Sequence, residues 1–442
     1  MAAETPSAQI EALAELTGHT ESAVWAVDWN PRQPLLASCS SDKTVRLTSF
    51  TLTADRPVFR FAHKLDGGHS RTVRSLHWRP DGRALATASF DSTVGIWEFI
   101  REAGIDDGGA AGALVDDIVA EDGDEGTWEC SATLEGHENE VKTVRWSANG
   151  DLLATCGRDK SVWVWEAVNG DFECLAVLME HDQDVKAVAW HPTDEIVASA
   201  SYDDTLRVYR ADPASDEWSQ THILPARDPS HSHHGHSHAP GESCPTAKPA
   251  SGLGGHTSTV WACCFSPSGS HLASSSDDRT IRIWSRRMLE PEELPDQRYV
   301  YRIGASERER WECVAVLSGY HTRSVLSIDW TAAPAALGDS LGLLASAGAD
   351  GRINVFSIAS APAGKPVEHT LLASVDDAHG VYDVNCVSWC RLQPPSRASD
   401  EMADDDAETA AERDPDGRFA RAHLIFATAG DDGAARVWRL KL

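Results

Sequence analysis

Gly136-His137, answered downstream by Thr155-Cys156-Gly157-Arg158-Asp159-Lys160-Ser161-Val162-Trp163-Val164-Trp165, is the clearest copy of a pattern that the chain writes seven times. Each copy opens on a histidine: His19, His69, His137, His181, His256, His321 and His379, four of them preceded by glycine. Each then carries an aspartate in a tight turn, at Asp42, Asp91, Asp159, Asp203, Asp278, Asp350 and Asp432. The spacing between the two is the same in copies two to five and one residue longer in copy one. Four residues before the aspartate stands a hydroxyl: Ser38, Thr87, Thr155, Ser199, Ser274, Ser346 or Thr428. Six residues after it comes Trp97, Trp165, Tyr209, Trp284, Phe356 or Trp438, with Thr48 in copy one. In a sheet such a set satisfies polar groups: hydroxyl, imidazole and carboxylate hydrogen-bond in a chain that pins the turn, while the aromatic packs over the strand.

Between histidine and hydroxyl lies a run that also recurs: Val24 to Trp29, Val73 to Trp78, Val141 to Trp146, Val185 to Trp190, Val260 to Phe265, Val325 to Trp330 and Val384 to Trp389. These runs are too short and too β-branched for helices. Turn chemistry such as Pro80-Asp81-Gly82, Asn149-Gly150 or Pro267-Ser268-Gly269 follows them. The spacing predicts one four-stranded sheet per copy. Gly-His followed by a distant Trp resembles the WD-repeat family, which implies an all-β, seven-bladed WD-repeat β-propeller. The Asp of the family's Trp-Asp pair is nowhere kept, and Glu98 and Glu166 are its nearest substitutes, so the resemblance rests on the whole quartet. The last copy supplies three strands to its blade, and the run Ile10 to Leu16 ahead of His19 is expected to complete it. That N-terminal strand would close the ring and remove exposed sheet edges.

Residues 1–442 are thus expected to form a single propeller domain, leaving no room for a second. Residues 101–126, 212–252, 286–310 and 396–417 read as flexible inserted loops, being rich in acidic, Pro/Ser/His or charged residues. On this reading, deletion of residues 214–248 leaves the fold intact.

A formal net charge of −29 argues against nucleic acid or an anionic membrane as a bulk partner. Met1 to Ala12 has no basic n-region and no apolar run, so the chain reads as soluble and intracellular. The ten cysteines include no C-x-x-C pair and sit mostly in apolar strand-like runs, which suits buried free thiols in a reducing compartment. The tract His231-Ser232-His233-His234-Gly235-His236-Ser237-His238, with Cys244 nearby, invites a metal. A flexible polar insert lacks the fixed geometry of a functional site, so neither metal nor cofactor is expected. No Gly-rich phosphate loop, nucleophile elbow or His-Glu-x-x-His occurs. The His, Asp and Ser/Thr sets that mimic catalytic triads recur sevenfold, which marks them as structural and the protein as no enzyme.

Several segments are more specific than the general repeat. They are Ala88-Ser89-Phe90-Asp91-Ser92-Thr93-Val94, Glu135-Gly136-His137-Glu138-Asn139-Glu140-Val141-Lys142, the stretch Ala154 to Glu166 that includes Gly157-Arg158-Asp159, Gln183-Asp184-Val185-Lys186, Ser201-Tyr202-Asp203-Asp204-Thr205 and His379-Gly380-Val381-Tyr382-Asp383-Val384-Asn385. An outer-strand signature joins them: Trp128-Glu129-Cys130, Phe172-Glu173-Cys174 and Trp311-Glu312-Cys313. Together they closely resemble the WD-repeat subunits of the cytosolic iron-sulfur protein assembly (CIA) targeting complex, over all seven blades and most strongly in blades two to four. The resemblance implies a late-acting scaffold that docks cytosolic and nuclear apo iron-sulfur client proteins to receive a 4Fe-4S cluster. Its implied partners are the other CIA targeting-complex subunits, a small protein and a large helical-repeat adaptor, and the hydrogenase-like cluster carrier protein. It implies no cluster on the propeller itself, in keeping with the absent cysteine ligand spacing, and an important role for Arg158. A generic WD-repeat interaction scaffold, such as a ubiquitin-ligase substrate receptor, is the alternative, although its Trp-Asp-x-Arg signature is missing. A propeller hydrolase would lack any singular site.

In such a ring, the residue before each turn Asp and the residue after the first Val of each inner strand lie near one rim. Here those positions give Phe90, Arg158 and Tyr202, with Trp25, Arg74, Lys142, Lys186 and Trp261, a basic and aromatic cluster on an acidic protein. Guanidinium forks suit carboxylates and aromatics give apolar anchors, so these eight are the expected partner-binding residues. The expected structural residues are His69, Thr87, Asp91 and Trp97, with their equivalents His137, Thr155, Asp159 and Trp165, and His256, Ser274, Asp278 and Trp284.

Overall fold

The computed structural model describes residues 8–442 except 20–21, 54–55, 102–125, 169, 213–214, 216, 226–252, 289–308, 335–336, 339, 361–366, 394–421 and 423. Within them the strands form seven four-stranded antiparallel sheets. Neighbouring inner strands touch in sequence, and Val384–Trp389 returns to Val24–Trp29, so the chain is a closed seven-bladed propeller. The seventh blade is completed by Gln9–Leu16, which pairs antiparallel with Ala435–Lys441, Gln9 opposite Lys441 and Leu16 opposite Ala435. Both ends of the described chain therefore meet in one sheet, and no blade edge faces a gap in the ring.

The inner strands carry the device that shapes the channel. In all seven, the ladder to the second strand slips between the first and third residues, as at Val73/Ser75 and Val141/Thr143. Such a β-bulge leaves the second residue unpaired and re-aims its side chain. In blades one to three the burial pattern is accordingly not a simple alternation: residues two and five are half exposed and the rest are buried. The second strands of blades one to four and seven are buried throughout and rich in small residues, as in Ala84–Ser89 and Ile196–Ser201, which lets successive sheets stack closely.

The quartets sit between strands as hydrogen-bonded chains. In blade three His137 Nδ1 lies 2.7 Å from Asp159, His137 Nε2 lies 2.8 Å from the Thr155 hydroxyl, and Trp165 Nε1 donates to that hydroxyl at 3.0 Å. The set His69, Thr87, Asp91 and Trp97 and the set His256, Ser274, Asp278 and Trp284 are linked in the same way. The second carboxylate oxygen of the aspartate accepts the N–H two residues on, as Asp159 does from Ser161. This fixes a turn whose next residue is left-handed, with φ of 68° at Lys160. The glycine before the histidine is steric: a Cβ on Gly68 would lie 2.3 Å from the Trp97 ring.

Burial lowers the imidazoles of His19 and His256 below the ordinary 6.5, so both are neutral in the fold. Burial would raise Asp350, but hydrogen bonds from His321 and the backbone outweigh it and hold the carboxyl at about 2. The unfolded chain therefore takes up protons first, at these histidines near 6.5 and at the carboxylates near 3.8. Stability from these groups is full above the histidine range and is lost in two steps as the pH falls. Asp28, raised to about 6 by burial, opposes the trend with one proton. The melting temperature should fall between about pH 7 and about pH 4; a flat or rising profile would contradict the assignment.

Two of the inserted segments need new boundaries. Residues 212–252 contain the outer strand of blade four, Trp218–Leu224, paired with Leu206–Ala211. Residues 286–310 contain the end of Ile281–Met288 and the start of Glu309–Leu317. Outer strands expose one face and carry polar residues there, so their composition matches that of a loop. Arg101 and Gly126 likewise end and begin strands. Residues 396–417, His231–His238 and Cys244 lie outside the described residues.

Candidate functional site

The seven bulges set the second residue of each inner strand around one mouth of the channel. Five of these are Trp25, Arg74, Lys142, Lys186 and Trp261 from blades one to five. They stack in an arc. The Arg74 guanidinium lies 4.6 Å above the Trp25 ring, Lys142 Nζ lies 4.2 Å from the Phe90 ring, and Lys186 Nζ stands 5.2 Å from Tyr202 and 5.3 Å from Trp261. Each cation bridges to a neighbouring blade, because Trp25, Phe90 and Trp261 belong to blades one, two and five. Stacking on aromatic faces stabilises each by roughly 0.5–2 kcal/mol and holds it in place.

Three of these rings are themselves anchored or presented. Trp25 Nε1 donates to Ser41 at 2.8 Å, Trp261 Nε1 donates to Asp277, and Tyr202 remains 49% exposed. The cations differ in what neutralises them. Lys142 donates to Glu140, and Lys186 donates to Asp184 at 3.2 Å. Burial lowers the Lys142 pKa, which Glu140 partly offsets. Arg74 makes no ion pair with any described residue, and burial lowers its pKa too. It is the least compensated cation of the arc.

Arg158 stands outside the stack. Its backbone N–H donates to Glu140 O at 2.9 Å, so the turn is fixed, but its side chain is 59% exposed and only 3.8 Å from Glu140 Oε1. Glu140 is already shared between Lys142 and Arg71.

The family described as "WD domain, G-beta repeat" matches residues 10–49, 59–98, 128–166, 172–210 and 247–285. Proteins named "Probable cytosolic iron-sulfur protein assembly protein 1" match along the whole chain. The one from Mycosarcoma maydis is 41% identical over 99% of this chain and 94% of its own. Those from Cryptococcus neoformans var. neoformans serotype D (strain JEC21) and Neosartorya fischeri are 38% and 37% identical, over 98% and 100% of this chain and 99% and 100% of theirs. The chain belongs to this family of WD-repeat iron-sulfur assembly proteins.

In this assembly-protein chain four of the five matched stretches are offset from a blade by one strand. Residues 59–98 begin on the outer strand of blade one, Val58–Leu65, and end on the third strand of blade two. Each of those four repeats therefore ties two blades together. Sequence reading missed a further tie, between blades four and five, where buried Glu309 accepts from Arg210 at 2.9 Å, from Arg286 at 3.0 Å and from Trp311 Nε1 at 2.7 Å. It was hidden because Glu309 falls in a charged stretch whose composition resembles a solvated loop.

Proposed function

We propose that this protein is a non-catalytic scaffold of cytosolic iron-sulfur protein assembly, and that its cationic, aromatic rim docks acidic segments of partner and client proteins. The observation that carries the reading is the arc of three cations held on aromatic rings at one channel mouth of a protein whose net charge is −29. On a surface so acidic, a preorganised basic patch offers specificity to a carboxylate-bearing segment, and the rings offer an apolar anchor beside it. The relatives' name supports the cytosol as the place and iron-sulfur assembly as the process. The partners would be the other CIA targeting-complex subunits, the hydrogenase-like carrier and apo iron-sulfur clients, in cytosol and nucleus.

Arg74→Glu, Lys142→Glu and Arg158→Glu test the rim. Each should weaken retention of the assembly partners in a pull-down at least about tenfold, equivalent to about 1.4 kcal/mol. Melting should be unchanged for Arg158→Glu, since an exposed pair at 3.8 Å contributes little to stability. Unchanged partner retention in all three would sink the docking role. Loss of retention together with a collapsed melting temperature would assign the residues to the fold. Recovery of ubiquitin-ligase adaptors in place of iron-sulfur assembly proteins would assign the scaffold to another process.

A further inference from the structure

The channel has a second mouth, ringed by the fifth residues of the inner strands and opening into a cavity of 530 Å³. Three of these residues clamp one blade to the next. Asp28, His77 and Asp329 accept the backbone N–H of Trp78, Trp146 and Trp389 at 2.9, 3.0 and 2.8 Å. His77 accepts through Nδ1, which places the imidazole proton on Nε2. Burial and the charge of Arg145 lower its pKa well below 6.5, so the ring is a neutral N–H donor lining the cavity. Nε2 has no partner among the described residues.

Arg145 stands beside it. Its Nη1 donates to the carbonyls of Val144 at 3.0 Å and Leu76 at 3.3 Å and to Ser75 Oγ at 3.3 Å. These three acceptors fix the guanidinium but neutralise nothing. Among the described residues no carboxylate lies within 4.0 Å of it, and Nε and Nη2 make no hydrogen bond. The other arginine of this mouth, Arg391, is already paired with Asp329 and with the Trp330 carbonyl. The cavity thus presents a pinned, half-buried cation that makes no ion pair within 4.0 Å among the described residues, with Asp28 in electrostatic reach, next to a neutral donor.

We propose that this mouth is a binding site for a small organic oxyanion, a carboxylate or phosphate ester, taken by the free edge of the Arg145 guanidinium and by His77 Nε2–H. An arginine fork matches two oxygens of such a group, and a site of this volume falls within the range of about 300–1,000 Å³ common for small ligands. Asp28, raised to about 6 by burial, is still mostly ionised at neutral pH, so a ligand must compete with it for the field of Arg145. The site lies at the opposite end of the channel from the docking rim and does not depend on it.

Calorimetric titration of the full chain with inorganic phosphate, glucose 6-phosphate and citrate, at constant ionic strength, tests this. At least one probe should saturate a single site. Preference for phosphate and glucose 6-phosphate would identify a phosphoryl ligand, and preference for citrate a carboxylate. Arg145→Gln should weaken that binding roughly tenfold or more, and Arg158→Glu, at the other mouth, should leave it unchanged. Arg145→Lys keeps the charge and loses the fork, so it should bind measurably weaker than the parent while melting like it. Absence of saturable binding by all three probes, or equal binding in Arg145→Lys and Arg145→Gln to the parent, would overturn the proposal.

Discussion

A chain lacking residues 214–248 should fail to assemble its fourth blade, whereas one lacking residues 228–250 should melt like the parent. The first deletion removes the outer strand Trp218–Leu224, whose register runs from Leu206 opposite Leu224 to Ala211 opposite Trp218. Trp218 packs edge-on against Trp190 with ring centroids 5.7 Å apart, and Leu224 is 1% exposed. Burial of two such side chains is worth about 1.5–3 kcal/mol each, and several ladder hydrogen bonds add about 1 kcal/mol apiece. The sum approaches the roughly 5–15 kcal/mol by which a native domain is stable at all. The second deletion spares the strand. It also leaves an easily closed junction, because Pro225 packs on Gly255 so tightly that a Cβ there would lie 2.3 Å from the proline ring. Thermal melting with soluble yield distinguishes them: a cooperative parent-like transition for the 214–248 deletion would show that the strand is dispensable.

Glu309→Ala should destabilise the ring by about 3–5 kcal/mol, the largest effect expected of a single substitution outside the quartets. Glu309 is 2% exposed and its carboxylate holds two guanidiniums, Arg210 of blade four and Arg286 of blade five, which are themselves mostly buried. Arg286 continues to Asp194 at 2.9 Å, and His222 Nε2 meets the Glu309 carbonyl at 2.9 Å. Removing the carboxylate strands Arg210 in a poorly solvated seam and leaves Arg286 with Asp194 alone, a loss larger than the pair's net contribution. For a chain of this length that amounts to a fall of several degrees in melting temperature. Glu309→Gln, which keeps one acceptor oxygen but replaces the other with a donor and removes the charge, should fall between the parent and Glu309→Ala. A fall of less than a degree in Glu309→Ala would mean that water already compensates the arginines.

Those two expectations mark where the sequence was legible and where it was not. The inner strands were plain because their residues repeat: a Val and, five residues on, an aromatic, seven times over. The quartets were plain because polar groups buried in a sheet need partners, which fixes their spacing. Outer strands repeat only faintly, since one face is wet and tolerates any polar residue. Even so, Trp218 and Leu224 carry the same separation as Trp128 and Leu134, Phe172 and Leu178, and Trp311 and Leu317. That spacing was the signal that could have found the strand; the absence of Glu-Cys after Trp218 concealed it. The rim residues could be placed by position, but not their pairing. Lys142 is neutralised by Glu140, whereas Arg74 makes no ion pair with a described residue and feels Asp431 only at longer range. The second mouth was equally open to reading through Asp28, His77, Arg145 and Asp329, four residues after the first Val of their strands.

The repeated bulge divides labour within each strand. Because the second residue has left the ladder, exchanging its side chain breaks no strand pair and disturbs no quartet. The ring therefore works as a lock with seven interchangeable pins, one set per repeat, on a barrel that never changes. Here five of the pins read Trp, Arg, Lys, Lys, Trp. Other members of such a lineage could be recut for different keys by point substitution, with neighbouring cuts coupled only where the side chains stack, as Arg74 does on Trp25 and Lys186 on Trp261.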